Sequence, residues 1–296
     1  MVVLEKHLIP NNISSVRFID YALLVFTDIP TKSAMKKAIK RNRFFIDDIP
    51  IQTGTYIEAG QTITRVDTEK TIEKFYRIKL DIIYEDEHFA IVNKPSGIIV
   101  SGNSFKTIVN ALPLHLKKSN EKDTLKVFKP IHRLDGPTSG LLIVAKTAKS
   151  LALLGQMLER KEIQKEYIAI VCGKTNEEGI INTTIDGQEA CTSYASIKSV
   201  PSLQNEFLTL IRLKPHTGRT HQLRIHMSTI DKPIMGDTLY GSQKQMLKGK
   251  GLFLCAHRLL FSHPITNKEI NISTTLPEKY ESLLTREQKR WEKFKS

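Results

Sequence analysis

The stretch IHRLDGPTSGLLIVAK, from Ile131 to Lys146, joins a glycine-containing turn to an apolar run of the kind found in buried strands. Its acidic residue is Asp135, which directly precedes Gly136 and Pro137. A turn beside a buried strand can hold a carboxylate at the rim of a pocket. The alternative is an aspartate that only stabilises its own turn through a local hydrogen bond. Taken alone, the run favours that structural interpretation.

Short apolar runs separated by turn residues continue on both sides of this stretch. Three of them predict strands of a mixed, largely antiparallel sheet: Ile82–Tyr84, Phe89–Val92 and Leu141–Val144. Ala148–Glu159 and Leu223–Ile230 carry apolar residues at helical spacing and predict helices. We therefore expect residues 79–296 to form an α+β domain with a largely antiparallel sheet and flanking helices.

The amino-terminal quarter has a different pattern, with two amphipathic segments before short strands. The predicted helices are Ser15–Phe26, with Ser14 or Ser15 as N-cap, and Lys32–Arg41. The predicted strands are Phe44–Asp47, Ile49–Gln52 and Thr62–Val66. We expect a small α+β domain over residues 15–66, an amino-terminal extension over 1–14 and a charged linker over 67–78.

The second predicted helix is strongly basic. Lys36, Lys40 and Arg43 recur at i, i+4 and i+7, and Lys37 and Arg41 extend the same side. This arrangement fits a phosphate-binding face, whereas the alternative is a solvated charged surface, and the helix alone leaves both open. The candidate cations of this segment are Lys32, Lys36, Lys37, Lys40, Arg41 and Arg43.

Charge and composition narrow the class of protein. The chain has 296 residues, and 44 Lys and Arg against 31 Asp and Glu give a net charge of +13. Such an excess favours a polyanionic partner, nucleic acid first, but a generally basic surface is the alternative, and the placement of the charges along the chain has to decide between them. The three cysteines lack CxxC spacing, so we expect reduced thiols. With no signal-peptide pattern and no apolar run of membrane-spanning length, we expect a cytoplasmic location and no membrane partner.

The sequence contains no recognisable metal or nucleotide motif. His216, His221 and His226 recur every fifth residue, not at the four-residue spacing that aligns ligands on a helix, and no HExxH occurs. Neither a GxxxxGK[ST] loop nor a GxGxxG run is present. We therefore expect no metal and no small-molecule cofactor.

The run around Asp135 is one of six sequence blocks that occur together in a known family. HRLDGPTSG resembles the HRLD-x-x-TSG signature of the RluA-type pseudouridine synthases. In the family's order the others are YEDEHFAIVNKPSG (84–97) before it, then KEY (165–167), LKPHTGRTHQLRIHM (213–227), GDTLYG (236–241) and CAHRLLFSHP (255–264). Gly136 departs from the pattern, because many members carry a charged residue there. The ordered blocks make a chance match implausible.

This resemblance implies an isomerase that detaches uracil from its ribose in RNA, turns the base and rejoins it through carbon five. Asp135 matches the catalytic aspartate, which either attacks the anomeric carbon or removes a sugar proton; the sequence leaves both routes open. Tyr167 matches the active-site tyrosine, and Arg224 the arginine partner of the aspartate. Candidate RNA contacts near this site are Arg133 and, with structural alternatives, Lys94, His132, Arg219 and His221.

The basic segment KSAMKKAIKRNRFFIDD (32–48) resembles the small S-four-type RNA-binding domain, named after a ribosomal protein, over residues 17–66. The two resemblances together imply structured RNA as the partner, and such a domain favours large-subunit ribosomal RNA. The alternatives are a transfer-RNA pseudouridine synthase and a noncatalytic RNA-binding factor for ribosome assembly. We expect a monomer that takes part in ribosomal RNA processing.

Overall fold

The computed structural model describes residues 2–67, 75–241 and 249–295, and the chain divides into two units, Met1–Lys74 and Phe75–Ser296. The elements of the first unit are β1 (Val2–Leu8), β2 (Val16–Arg17), α1 (Phe18–Val25), α2 (Lys32–Lys40), β3 (Phe44–Ile46), β4 (Ile49–Pro50), β5 (Tyr56–Ile57) and β6 (Thr62–Asp67). One sheet has the order β1-β6-β3-β4, and β2 pairs with β5. The short strands expected after the basic helix are confirmed.

The first helix begins later than its periodicity predicts. Val16 and Arg17 pair with β5, so α1 starts at Phe18, and neither Ser14 nor Ser15 is its N-cap. The second helix begins after Thr31, whose Oγ1 accepts a hydrogen bond from the Ala34 N–H at 3.1 Å. The prediction for α1 was wrong at its start because strand pairing overrode local helical spacing.

Residues 1–14 are not an appended extension in the structure. Strand β1 pairs antiparallel with β6, with Lys6 opposite Thr64, and Ile9 is fully buried in the core of the first unit. The sequence of this strand does not reveal its partner, which lies more than fifty residues away, and this explains the different boundary. Residues 68–74 of the expected linker lie outside the described part of the chain.

The second unit is built on one large sheet. Its elements are β7 (Asp81–Glu85), β8 (Phe89–Lys94), α3 (Ile108–Ala111), β9 (Thr124–Pro130), β10 (Ser139–Thr147), α4 (Ala148–Glu159), β11 (Gln164–Cys172), β12 (Glu178–Ile181), β13 (Thr192–Ser202), β14 (Glu206–Pro215), α5 (Gln222–Thr229), β15 (Leu254–Ser262), β16 (Glu269–Ser273) and α6 (Lys279–Lys295). The strand order is β12-β13-β14-β11-β15-β10-β8-β7, with β16 beside β15 and β9 beside β10. The α+β class with a mixed, largely antiparallel sheet is confirmed.

A parallel pairing at the centre of this sheet brings two of the sequence blocks together. Gly140 of β10 lies opposite Ala256 of β15, and Tyr167 of β11 lies opposite Ala256 on its other side. Gly140 has φ of 110°, and a Cβ there would lie 2.2 Å from the Ala256 carbonyl oxygen, so only glycine fits. The pairing of Gly140, Ala256 and Tyr167 across three neighbouring strands therefore brings the turn before β10, which carries Asp135, close to Tyr167.

Within the described ranges, no helix is both long enough and apolar enough to cross a membrane.

Candidate active site

The turn that carries Asp135 is held in place from its buried side. The Thr138 N–H donates to the Asp135 carbonyl at 3.1 Å and closes the turn. Lys94 is fully buried, and its Nζ donates to the carbonyl oxygens of Gly136, Pro95 and Ile98 at 3.0, 3.0 and 2.6 Å. Burial lowers the pKa of Lys94 to about 8, while the charge of Asp135 acts in the opposite direction. Lys94 is therefore a structural donor, which corrects its candidacy as an RNA contact.

Arg224 extends from α5 between two carboxylates. Its Nε and Nη2 donate to Asp237 at 2.8 and 2.7 Å, a bidentate pair, and its Nη1 lies 3.5 Å from Oδ2 of Asp135. Both Arg224 and Asp237 are buried, and the Asp135 side chain is 16% exposed. The structure thus brings Arg224 to Asp135 as the motif suggested, but its closer partner is Asp237.

Asp237 is held as a buried carboxylate. Burial by itself raises the pKa of this carboxyl, but hydrogen bonds from Arg224 and from the N–H groups of Leu239 and Tyr240 lower it more, so the pKa lies below its ordinary value. The carboxylate in turn keeps the guanidinium charged and fixes its direction. Arg224 therefore presents one free edge, Nη1, towards Asp135.

His221 approaches the other oxygen of Asp135. It precedes α5 in the left-handed conformation, with φ of 56°, and its Nε2 lies 3.7 Å from Oδ1 of Asp135. This distance is electrostatic contact and is longer than a hydrogen bond. Each oxygen of the Asp135 carboxylate therefore faces a different nitrogen-bearing side chain.

Tyr167 packs beside this cluster. Its side chain is partly buried and contacts two apolar clusters, one of which includes Leu134 and Ala256. Burial, and after it the negative charge of Asp135, raises the pKa of the Tyr167 hydroxyl well above its ordinary value. The phenol consequently keeps its proton at neutral pH, which leaves it able to donate a hydrogen bond near Asp135.

The residues before Asp135 have separate roles. His132 Nε2 accepts a hydrogen bond from the Ile143 N–H at 3.1 Å, and burial together with the nearby charge of Lys165 lowers the pKa of His132 to about 3. This neutral, partly buried histidine supports the turn. Arg133 is exposed and Arg219, also exposed, donates to the Glu189 carbonyl at 3.0 Å. Arg133 and Arg219 therefore both stay predictions as RNA contacts.

The remaining candidate cations lie in the first unit. Lys36, Lys37 and Lys40 are exposed on α2, and Arg41 follows its last residue. Lys32 is exposed but pairs with Asp20 at 2.8 Å. Arg43 is only half-exposed and lies beyond the helix, so it does not continue the i, i+4 row as a helical residue.

Asp237 had no predicted role, although it stands in the matched block GDTLYG. The signal that could have identified it is an acidic residue in a block that accompanies the block of Arg224, since a guanidinium that becomes buried needs a carboxylate partner. In the part of the chain that the structure describes, no group of three or more His, Cys, Asp or Glu side chains is arranged to hold a metal ion.

Comparison with known proteins places these residues in a family. A family model described as RNA pseudouridylate synthase matches residues 88–229, which include Asp135, Tyr167 and Arg224. The ribosomal large subunit pseudouridine synthase D of Buchnera aphidicola (subspecies Acyrthosiphon pisum) is 32% identical, over 86% of this chain and 89% of that protein. The tRNA pseudouridine synthase C of Vibrio parahaemolyticus is also 32% identical, over 71% of this chain and 95% of that protein.

A solved structure shows the same fold. The human protein named RNA Pseudouridylate Synthase Domain Containing 4 superposes with a TM-score of 0.56, 24% identity and coverage of 69% of this chain and 92% of that one. The chain therefore belongs to the RluA-type family of RNA pseudouridine synthases, isomerases that act on RNA.

Proposed function

We propose that this pseudouridine synthase modifies large-subunit ribosomal RNA and that Asp135 is its reactive carboxylate. The observation that carries the assignment of Asp135 is the arrangement of its two oxygens, one 3.5 Å from Arg224 Nη1 and the other 3.7 Å from His221 Nε2. These two side chains fix the direction in which the Asp135 carboxylate points. An ionised carboxylate is required to attack the sugar or to take a proton from it.

The isomerisation exchanges one bond of the ribose anomeric carbon for another and needs few catalytic side chains. The bond from the ribose anomeric carbon to N1 of uracil breaks, a bond from the same carbon to carbon five forms, and the proton on carbon five leaves while N1 gains one. Asp135 serves as nucleophile or as base in the first step, and both routes remain open. Tyr167, which keeps its proton, provides a ring that can stack on the flipped base and a hydroxyl that can assist proton movement.

Arg133 is proposed as a contact to the displaced strand. A uridine inside folded RNA has to be unstacked before Asp135 can reach its sugar, at a cost of a few kcal/mol. Arg133 is exposed and stands two residues before Asp135, so its guanidinium is available to phosphates near the flipped nucleotide.

The choice of ribosomal RNA rests on the first unit and on how far the relatives extend. The Buchnera aphidicola synthase named for the ribosomal large subunit aligns with 86% of this chain, which is more than the second unit alone supplies. We propose that residues 15–66, together with β1, act as an S-four-type RNA-binding domain. Its phosphate contacts would be Lys36, Lys37, Lys40 and Arg41 on and after α2.

Neutralising the α2 cations is expected to weaken RNA binding through its salt-dependent part. In the double variant Lys36→Gln, Lys40→Gln, the slope of log affinity against log salt should become shallower by about 1.5, because each phosphate contact contributes about 0.7–0.9. Fluorescence titration of the RNA over a salt series measures this slope. The matched control is Lys149→Gln with Lys268→Gln, which removes two exposed lysines of the second unit. An unchanged slope in the α2 variant would contradict an RNA-binding role for this face.

The substrate is tested with purified protein and unmodified RNA. Large-subunit ribosomal RNA and transfer RNA, both transcribed in vitro, are incubated with the protein, and pseudouridine is mapped chemically at nucleotide resolution. We expect discrete sites in the ribosomal RNA and none in transfer RNA. Modification of transfer RNA alone would overturn the ribosomal assignment and leave the family assignment intact. Mapping the RNA of a strain that lacks the gene then identifies the uridines.

A further inference from the structure

Tyr240 contacts both of the side chains that face Asp135. Its hydroxyl lies 2.9 Å from Nδ1 of His221, and its ring centroid lies 5.2 Å from Cζ of Arg224. Its own backbone is fixed on both sides: the N–H donates to Asp237 at 3.1 Å, and the carbonyl accepts from Ser228 Oγ at 2.8 Å. Tyr240 is thus held in place by its backbone and contacts both of the side chains that lie next to the Asp135 carboxylate.

The hydrogen-bonding chemistry of His221 makes this contact informative. A neutral imidazole has one N–H donor and one acceptor nitrogen, and the partner of one nitrogen selects the state of the other. Nε2 of His221 faces a carboxylate oxygen of Asp135 at 3.7 Å, and a carboxylate can only accept. The tyrosine hydroxyl, 2.9 Å from Nδ1, can donate to an unprotonated Nδ1 or accept from a protonated one. Because Asp135 on the other side of the ring can only accept, the arrangement with Nε2–H and a hydroxyl that donates to Nδ1 satisfies both contacts.

We propose that Tyr240 is a positioning residue that holds His221 with its proton on Nε2, so that a donor faces Oδ1 of Asp135 while Arg224 faces Oδ2. Without the tyrosine proton the imidazole is free to carry its hydrogen on Nδ1. An unprotonated Nε2 would then repel the Asp135 carboxylate. The proposal rests on the proposed role of Asp135 as the reactive group.

Tyr240→Phe isolates the hydroxyl, because phenylalanine keeps a ring beside the Arg224 guanidinium. In the full-length protein we expect kcat to fall roughly tenfold, the effect of losing about one oriented hydrogen bond to an essential group. The KM for RNA should change little, since Tyr240 has no proposed substrate contact. Single-turnover and steady-state kinetics on one RNA substrate separate the two constants.

The tautomer itself is read by nuclear magnetic resonance. In protein labelled with ¹⁵N-histidine, long-range proton–nitrogen correlations distinguish protonated from unprotonated ring nitrogens, and the spectrum of His221→Gln assigns the His221 signals. We expect Nε2–H in the wild type and a mixture of tautomers in Tyr240→Phe. A wild-type His221 with its proton on Nδ1 would overturn the proposal, and this measurement requires no variant at Tyr240.

A double-mutant cycle tests whether Tyr240 acts through His221. In a His221→Gln background, Tyr240→Phe should cause no further loss of kcat. An equal loss in both backgrounds, or an undiminished kcat in Tyr240→Phe alone, overturns the proposal. The matched control is Tyr84→Phe, which removes a hydroxyl that donates to Asp86 at 2.6 Å in another part of the second unit and should leave kcat unchanged. If Asp135→Asn proves fully active, the proposed function fails, while the spectra still report the His221 tautomer.

Discussion

Replacing Asp135 with asparagine is expected to lower pseudouridine formation by at least about 10³-fold, in the range by which positioned acid–base and nucleophilic groups accelerate reactions. The amide has almost the same shape as the carboxylate but is neither a nucleophile nor a base here. Stability should change little, because Arg224 keeps its bidentate partner Asp237 at 2.7 and 2.8 Å. Single-turnover assays on the RNA substrate and thermal unfolding of both proteins measure the two effects.

The control for this substitution is Asp231→Asn, an identical change at an exposed residue with φ of 55°, a conformation that asparagine adopts readily. Its activity should match the wild type. Pseudouridine formation by Asp135→Asn at the wild-type rate would exclude Asp135 as the reactive group, whichever of the two chemical routes is correct.

Asp237→Asn is expected to have the largest effect on stability. Asparagine cannot accept both hydrogen bonds from Arg224, so a buried guanidinium loses its compensating charge. Breaking such a pair by removing one partner costs about 3–5 kcal/mol in the free energy of unfolding. Activity should fall as well, since Arg224 would no longer be oriented towards Asp135. Urea denaturation and single-turnover kinetics measure these changes.

The pH dependence of this stability loss has a definite sign. The pKa of Asp237 lies below its ordinary value of 3.8 in the folded protein, so the ion pair stabilises the fold above that pH and the contribution is lost as pH falls through the folded pKa. The difference between wild type and Asp237→Asn should therefore shrink in acid. If the difference in free energy of unfolding between the two proteins stayed constant as the pH fell below 3.8, Asp237 would not be ionised in the folded protein.

A second variant separates orientation from stability. Arg224→Met combined with Asp237→Leu removes both charges together. Replacing a buried ion pair by apolar residues often leaves the stability of a protein unchanged. We expect this protein to regain much of the stability lost in Asp237→Asn but to remain inactive, because no cation then faces Asp135. Restored activity would show that Arg224 is dispensable.

The sequence motifs found the residues that meet the proposed chemistry but not those that orient them. Asp135, Tyr167 and Arg224 stand in blocks whose order is characteristic of the family. Asp237 and Tyr240 stand in such a block too, yet nothing in GDTLYG says which side chain they contact. Contacts between residues many positions apart depend on how the intervening strands and helices pack.

The sequence by itself determined the elements with strong local signals. Strands β8 and β10 follow from apolar runs, and helix α4 follows from apolar residues at helical spacing. In each of these elements the pattern of apolar residues that predicts it lies within its own sequence. The basic surface of α2 likewise follows from the spacing of Lys36 and Lys40. The family resemblance added the activity and the prediction that Asp135 is the reactive aspartate.

The tertiary structure alone decided what depends on distant partners. It pairs β1 with β6, makes Val16 and Arg17 a strand, and buries Lys94 under the turn of Asp135. It also pairs Nε and Nη2 of Arg224 with Asp237, so that Nη1 is the nitrogen that faces Asp135. These outcomes follow from strand pairing and from the need of buried charges for a partner. In both cases the partner comes from a distant part of the chain, so the local sequence does not predict it.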